Sequence, residues 1–391
     1  MFTTGKCLGV GSDPWHKFSM EPFKNLLSIQ TAGVIATHLQ RQMPALDKQA
    51  FLAPLIARLE GLEMKARAVA IAERLAQVLP DDPLERATIL RAMLHPSTDA
   101  QGQSDDAGLQ GWAVWPLNMV VARHGVADFE GSMRLLREMT MRFTSEFAVR
   151  PFLIADQSRA LAILSGWIDD PNPNVRRWLS EGTRPRLPWG ERLPALIADP
   201  NPVLPLLTAL RDDPSDDVRR SVANHLNDIS KDHPALVTAL AEAWMRDAPP
   251  PRRSLIKHAL RSLIKAGSPE ALAVLGQRAP CIEALAPILA PRTVTLGGAL
   301  GITCAIRSTS AEAQSLTIDI VLYFRKADGR LRPKVFKGVQ VELAPYGTYV
   351  FSRLQPLRAV TTRRHYGGEQ ATALRINGQD TPCTRFTLRL A

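Results

Sequence analysis

The stretch DDPNPNVRRWLSEGTRPRLPW, Asp169 to Trp189, decides how this chain is read. Part of it returns 43 residues later, where Asp212-Asp213-Pro214 and Val218-Arg219-Arg220 recur at the same spacing. Two such copies mark a helical-repeat array. In both, a turn opens a helix. Asn172 can cap the first, with Pro173 at its first position, where a missing N–H costs nothing. Ser215 can cap the second, and Asp216 and Asp217 suit its positive end. Val175 and Leu179 share one helical face, as do Val218, Val222 and Ile229. The opposite faces carry Arg177 and Glu181 in one copy, and Arg220, Asn224 and Asn227 in the other, with Asp228 on the flank. Stacked repeats would align these faces into one polar strip. The plainer alternative is a solvated face with an ordinary i,i+4 ion pair.

A chain of 391 residues predicts two or more domains, and an apolar fraction of 45% suffices for a sizeable core. No apolar run reaches the length of a membrane span, and the N-terminus shows no secretion signal. Cys7, Cys281, Cys304 and Cys383 are scattered, with no CxxC and no histidines at ligand spacing. Structural zinc is not expected, and reduced thiols in a cytoplasmic protein fit best. The net charge of +10 is uneven: residues 292–391 hold 15 Lys plus Arg against 6 Asp plus Glu, so the last quarter carries nearly all of it. A polyanion, nucleic acid first, is the natural partner of that segment; ordinary solubility charge is the alternative.

Residues 1–19, with Gly5, Gly9, Gly11 and Pro14, predict a flexible lead, and Met20 a possible true start. Helical periodicity follows: Phe51, Leu55 and Leu59 recur every four residues, and Met64, Ala68, Ile71, Leu75 and Val78 form one stripe. Residues 96–110, without core-forming residues, predict a mobile loop. Trp112 and Trp115 suit a core. A helix is expected from about Asp128 to Phe143, with Met133, Leu136 and Met139 on one side. Thr144 or Ser145 then caps the next, with Glu146 in its first turn, Arg150 four residues on, and Pro151 kinking or ending it. Trp189, in a proline-bounded loop beside Arg184 and Arg186, suits either core packing or contact with a cationic or aromatic ligand face.

Helices continue to about Arg278. Pro280 to Pro291 predicts a linker with a short helix inside. Then the period becomes two: Leu316, Ile318, Ile320 and Leu322 alternate with Thr317, Asp319, Val321 and Tyr323. Asp328-Gly329 and Asn377-Gly378 mark turns. Short strands with regular turns over the last 95 or so residues suggest a β-sandwich of immunoglobulin type. Arg325, Lys326, Arg330, Arg332, Lys334 and Lys337 make one hairpin a candidate phosphate grip.

The segments SEFAVRPFL, VRRWLSEGTRPRLPW and VRRSVANHLNDISKDHP, with MEPFKNLL and KADGRLRPKVFKG, resemble the AlkC family of bacterial DNA alkylation-repair glycosylases. The resemblance runs from about Met20 to Ala391. It implies a HEAT-like α-solenoid, residues 20–279, that holds duplex DNA in its concave face. It also implies an immunoglobulin-like domain, residues 293–391, that clamps the DNA from the other side. Such proteins excise bases made cationic by alkylation, chiefly N3-methyladenine and N3-methylcytosine, without a deep base pocket. The matching positions are Glu146, Arg177, Glu181, Trp189 and Asp228. Trp178 stands where a smaller aliphatic residue is expected.

A base alkylated on a ring nitrogen is already a good leaving group. The remaining task is to stabilise an oxocarbenium-like sugar and admit water, which suits carboxylates. Glu146, Glu181 and Asp228 are the candidates, with Trp189 and Arg177 on the substrate. Arg184, Arg220, Asn224 and the six basic hairpin residues are the candidate DNA contacts. The expectation is a monomer that needs no metal or cofactor, acts on double-stranded DNA carrying alkylated bases, and makes no use of a membrane. The rival is a non-catalytic helical-repeat scaffold binding DNA or an acidic protein. No nuclease motif supports a metal-dependent nuclease.

Overall fold

The computed structural model describes residues 23–98, 102–360 and 364–390. The expected lead, the Met20 start, Cys7 and part of the 96–110 loop lie outside them. The chain divides into two compact units, the first ending at Ile163 and the second running from Leu164.

The first unit holds α1 (Ile29–Gln42), α2 (Lys48–Glu60), α3 (Met64–Val78), α4 (Pro83–Ala92), α5 (Val114–His124), α6 (Phe129–Thr140) and α7 (Arg150–Ala155), with α8 (Gln157–Ser165) at the boundary. Caps fix several starts. Asp47 accepts from the Gln49 and Ala50 amides, and Asp82 accepts from Glu85 with Pro83 in the first turn. Phe51, Leu55, Ala68, Ile71, Leu75, Met133, Leu136 and Met139 are buried as their spacing predicts. Trp115 is core, and Trp112 packs beside it and Phe143.

Two expectations fail in this unit. The 96–110 segment does contain a core residue: Leu109 is fully buried, and its amide donates to Met93 O while its carbonyl accepts from His95. Ser104 and Gln110 bond each other, and His38 Nε2 lies 2.8 Å from Asp105 O. One apolar anchor in a polar segment does not register in composition. The second failure concerns Thr144 and Ser145, neither of which caps a helix. Ser145 Oγ is buried and donates to Leu136 O, and α7 starts at Arg150 with Pro151 in its first turn. There the missing N–H is tolerated, so the proline opens the helix instead of kinking it.

The second unit continues with α9 (Pro173–Gly182), α10 (Pro194–Ala198), α11 (Leu204–Leu210), α12 (Asp216–Ile229), α13 (Pro234–Met245), α14 (Pro250–Ala259), α15 (Arg261–Ala266) and α16 (Pro269–Val274). The repeat is real in three dimensions, and α12 packs between α9 and α14. Asp170 Oδ1 accepts from the Asn172 amide, and Asp213 Oδ1 from the Ser215 amide. Arg176 donates back to Asp170 O, and Arg219 to Asp213 O. The acid pair of the second copy also joins the repeats. Asp213 accepts a bidentate pair from Arg176 of the α9 repeat, and Asp212 accepts from Arg252 of α14. Asn172 caps α9 as expected. Ser215 makes no side-chain cap bond; its turn is held by Asp213 instead. Trp178 is fully buried and stacks on Trp167, with centroids 5.9 Å apart, so the larger side chain is absorbed in the core.

The β-sandwich begins earlier than expected. The supposed linker forms β1 (Ile282–Ala284) and β2 (Ile288–Ala290), and contains no helix. They are followed by β3 (Thr293–Thr295), β4 (Ala299–Ser308), β5 (Gln314–Arg325), β6 (Leu331–Leu343), β7 (Thr348–Pro356), β8 (Gly368–Ile376), β9 (Gln379–Asp380) and β10 (Thr384–Arg389). In one sheet β1 and β2 lie in tandem along one edge of β4, with β7 along the other. The other sheet runs β3-β10-β8-β5-β6, with β9 beside β8. Leu316, Ile318, Ile320 and Leu322 turn inward against Ile302, Cys304 and Ile306 of the facing sheet. The first two short strands were missed because three-residue strands carry too little alternation to show a period.

Asp213 is 7% exposed and serves both a turn and a neighbouring repeat. Asp213→Ala should therefore destabilise the protein by about 3 kcal/mol, because it strands the part-buried Arg176. Asp216→Ala, at an exposed ion pair with Arg219, should change stability by less than about 1 kcal/mol. Urea midpoints of the two variants check this contrast.

Candidate functional site

The polar strip exists across α9 and α12, but its charge is not what the sequence suggested. Residues 177, 181 and 184 fall at steps of four and three, as do 221, 224 and 228, so each set shares one helical face. Arg184 lies just past the end of α9 and reaches between two acids. Its Nη1 donates to Glu181 Oε1 at 2.6 Å, and its Nε donates to Asp228 Oδ2 at 2.9 Å. Ser221 Oγ donates to the other Glu181 oxygen at 2.6 Å, and Lys231 Nζ to Asp228 Oδ1 at 2.8 Å. Arg177 stands 3.8 Å from Glu181.

Glu181, Arg184 and Asp228 are all buried, Asp228 to 2% exposure. Burial works against the Arg184 charge, but the Glu181 and Asp228 carboxylates outweigh it and hold the guanidinium above its usual range. Two corrections follow. Arg184, expected at a DNA phosphate, is an internal clasp. The two acids, expected to face the substrate, belong to a near-balanced cluster in which Arg184 and Lys231 offset them. The physical reason is desolvation: two carboxylates cannot be buried side by side without a counter-charge. Ser221 and Lys231 were missed, although they sit seven residues before and three after Asp228, on its own face.

The loop after α9 is fixed in the same manner. Arg186 makes a bidentate pair with Asp232, at 2.9 and 2.8 Å, and its bonds hold the Asp232 carboxyl below the usual range. Leu187 is buried, and the Gly190 amide donates to Leu187 O. Trp189 rides on this turn, 65% exposed, with φ +64°. Core packing is thereby excluded for it. A left-handed backbone costs a residue with a Cβ about 1–2 kcal/mol, which the anchors on either side sustain.

The other candidates separate. Glu146 is a residue of the first unit; it is half-buried in the turn before α7, and its Oε2 accepts from Thr144 Oγ1. Arg220 is exposed on α12. Asn224 Oδ1 pairs with His258 Nε2 and accepts from Arg261 Nη2, both at 3.0 Å, so its carboxamide belongs to the packing of α12 on α14 and the start of α15. Burial, followed by Arg261 and Arg220, holds His258 below the usual imidazole range. The basic hairpin also divides. Arg325, Arg330, Arg332 and Lys337 are exposed, whereas Lys326 and Lys334 are half-buried. Strand alternation places Arg332 and Lys334 on one face of β6 and Lys337 on the other. Among the described residues no group of three or more His, Cys, Asp or Glu is placed to hold a metal ion.

Comparison with known proteins supplies a context for this geometry. Residues 284–390 match the family described as the C-terminal Ig-like domain of the uncharacterised protein YhaZ. Uncharacterised YhaZ of Bacillus subtilis (strain 168) is 37% identical over 364 residues, which cover 92% of this chain and 97% of that protein. The structure of Pseudomonas fluorescens alkylpurine DNA glycosylase AlkC, bound to DNA containing an abasic-site analogue, superposes with a TM-score of 0.82. It is 33% identical and covers 94% of this chain and 99% of its own.

Arg184→Met should be destabilising by about 3–5 kcal/mol, since it leaves two buried acids facing each other. Adding Asp228→Asn should recover at least about 1 kcal/mol of that loss. Chemical denaturation of the two single variants and the double variant measures the coupling.

Proposed function

This chain belongs to the AlkC-like family, and we propose that it is an alkylation-repair DNA glycosylase hydrolysing the N-glycosidic bond of cationic bases such as N3-methyladenine and N3-methylcytosine. The single observation that carries this reading is the Glu181–Arg184–Asp228 cluster, with an exposed Trp189 on the loop that follows α9 and an exposed Arg220 on α12. AlkC itself is an alkylpurine DNA glycosylase seen on DNA. Similarity to it supports duplex DNA as the partner here.

The chemistry follows from which groups are already committed. Glu181 has one oxygen on Arg184 and the other on the buried Ser221, so it is the less available acid. Asp228 has one oxygen on Arg184 and the other on Lys231, whose side chain is 46% exposed. Lys231 can swing out toward solvent or a phosphate. Its departure frees Asp228 Oδ1 for the developing positive charge on the sugar, or for the attacking water. In this reading Glu181 is a positioning residue that holds Arg184, and Arg184 holds Asp228. The leaving base carries its own positive charge, so no strong general acid is required. Trp189 offers its ring face to that charge, a contact worth about 0.5–2 kcal/mol. The excess positive charge of the β-sandwich supplies attraction for the DNA phosphates, since the cluster itself is near-balanced.

Base release from methylated duplex under single-turnover conditions tests the assignment. Asp228→Asn should slow release by about 10²-fold or more, with Glu181→Gln also impaired. Trp189→Ala should lower release of a cationic base by up to about tenfold. Unimpaired release by both acid variants would remove the two carboxylates from the mechanism. Tight duplex binding without any release by the intact chain would favour the scaffold reading.

Removing residues 280–391, so that β1 and β2 go with their sandwich, should weaken duplex binding and flatten its dependence on salt. Titrations at several salt concentrations measure both effects.

A further inference from the structure

A second built feature lies in the same unit, where α14 and α15 meet the outer face of β5 and β6. A cleft of about 340 Å³ opens there. Four cations line it: Lys257 from α14, Arg261 and Lys265 from α15, and Lys337 from β6. The acid in the lining, Asp319, is engaged, since its Oδ1 accepts from the Gly338 amide at 2.8 Å. Lys257, Lys265 and Lys337 form no ion pair among the described residues. Four cations against the single carboxylate of Asp319 leave the lining with an excess of positive charge, which suits an anion.

The floor is polar too. Thr317 Oγ1 accepts from Gln277 Nε2 at 2.6 Å and from Gln340 Nε2 at 3.1 Å, which leaves its own proton to donate. Gln277 is 9% exposed, yet its Oε1 has no partner among the described residues. A buried amide oxygen of this kind is completed by a donor arriving in the cleft, such as a bridging water.

The walls are fixed by backbone. Gly267, which ends α15, lies so close to Gly378 that a Cβ on either would stand 2.6 Å from the other's carbonyl oxygen. Arg375 Nη1 donates to Lys265 O at 2.7 Å, and Asn377 Nδ2 to Arg278 O at 2.9 Å. On the strand side, the register slips between Ile318 and Ile320 opposite Gly338, where a Cβ would meet Ile318 O at 1.8 Å. Such a bulge re-aims the side chains beside it, here Lys337.

We propose that this cleft seats a backbone phosphate of the bound DNA. The proposal rests on DNA being the substrate and adds a named contact to it. Arg261 connects the cleft to the candidate site through Asn224, one helical turn from Asp228. Burial lowers the Arg261 guanidinium below its usual range, Asp228 raises it and Arg184 lowers it again, so this residue senses both members of the clasp. A strand with its damaged sugar at Asp228 would therefore lay a neighbouring phosphate in the cleft.

The full-length Lys257→Gln/Lys265→Gln double variant tests this in binding, without need of base release. On an undamaged duplex and on one with an abasic-site analogue, the slope of log K against log salt should fall by about one unit. Lys257→Arg/Lys265→Arg should keep the original slope. Single methylphosphonates stepped along one strand should include a position that weakens binding by the unaltered protein but not by the Gln variant. An unchanged slope, or no such position, would overturn the proposal. Inorganic phosphate or pyrophosphate bound by the unaltered protein and lost in the variant, with DNA binding unchanged, would assign the cleft to a free anion and overturn it as well. If the protein binds DNA in this way but releases no base, the cleft stands and the glycosylase reading falls.

Discussion

Two carboxylates buried beside each other are unstable unless something positive lies between them, and in this protein that something is Arg184. Its planar fork reaches Glu181 at the end of α9 and Asp228 at the end of α12. A lysine would offer three donors on one nitrogen, whereas the planar fork presents separate nitrogens, Nη1 to Glu181 and Nε to Asp228, in fixed directions. The clasp thus does two things at once. It makes burial of the acids tolerable, and it fixes the spacing of two helix ends from consecutive repeats. Asp228 stays aimed because the guanidinium beside it holds one of its oxygens with directed bonds.

The repeat itself is joined by the same chemistry at its outer turns. Asp212 and Asp213 are adjacent in sequence but serve different neighbours, one taking Arg252 of α14 and the other Arg176 of α9. A two-residue acid pair therefore sets α12 against both of its flanking helices. The apolar faces of Val175, Val218 and Val222 supply the cohesion, and the ion pairs supply the register.

Much of this was legible in the residues. The Asp-Asp-Pro and Val-Arg-Arg recurrence gave the repeat, and the alternation from Leu316 to Leu322 gave the sandwich, because both are periodic signals spread over many positions. Glu181 and Asp228 were singled out from helical faces and the family resemblance, and the structure joins the two through Arg184. What could not be read was the third dimension between turns. Arg184 looks like one more surface arginine until the fold places an acid on each side of it. Leu109 looks like part of a polar loop until it fills a hole. Trp189 was open to two opposite readings, because no local pattern states whether a tryptophan after a proline points in or out. β1 and β2 escaped notice because three residues are too few to show an alternation.

The setting of Trp189 also bears on how the protein can be watched. Trp115, Trp178 and Trp244 are sealed from water, whereas the indole of Trp189 meets it. A collisional quencher in solution therefore darkens Trp189 well before those three, and its emission lies at longer wavelength than theirs. Any molecule that settles over that ring shields it from the quencher, so this tryptophan gives an optical signal of occupancy without an added dye.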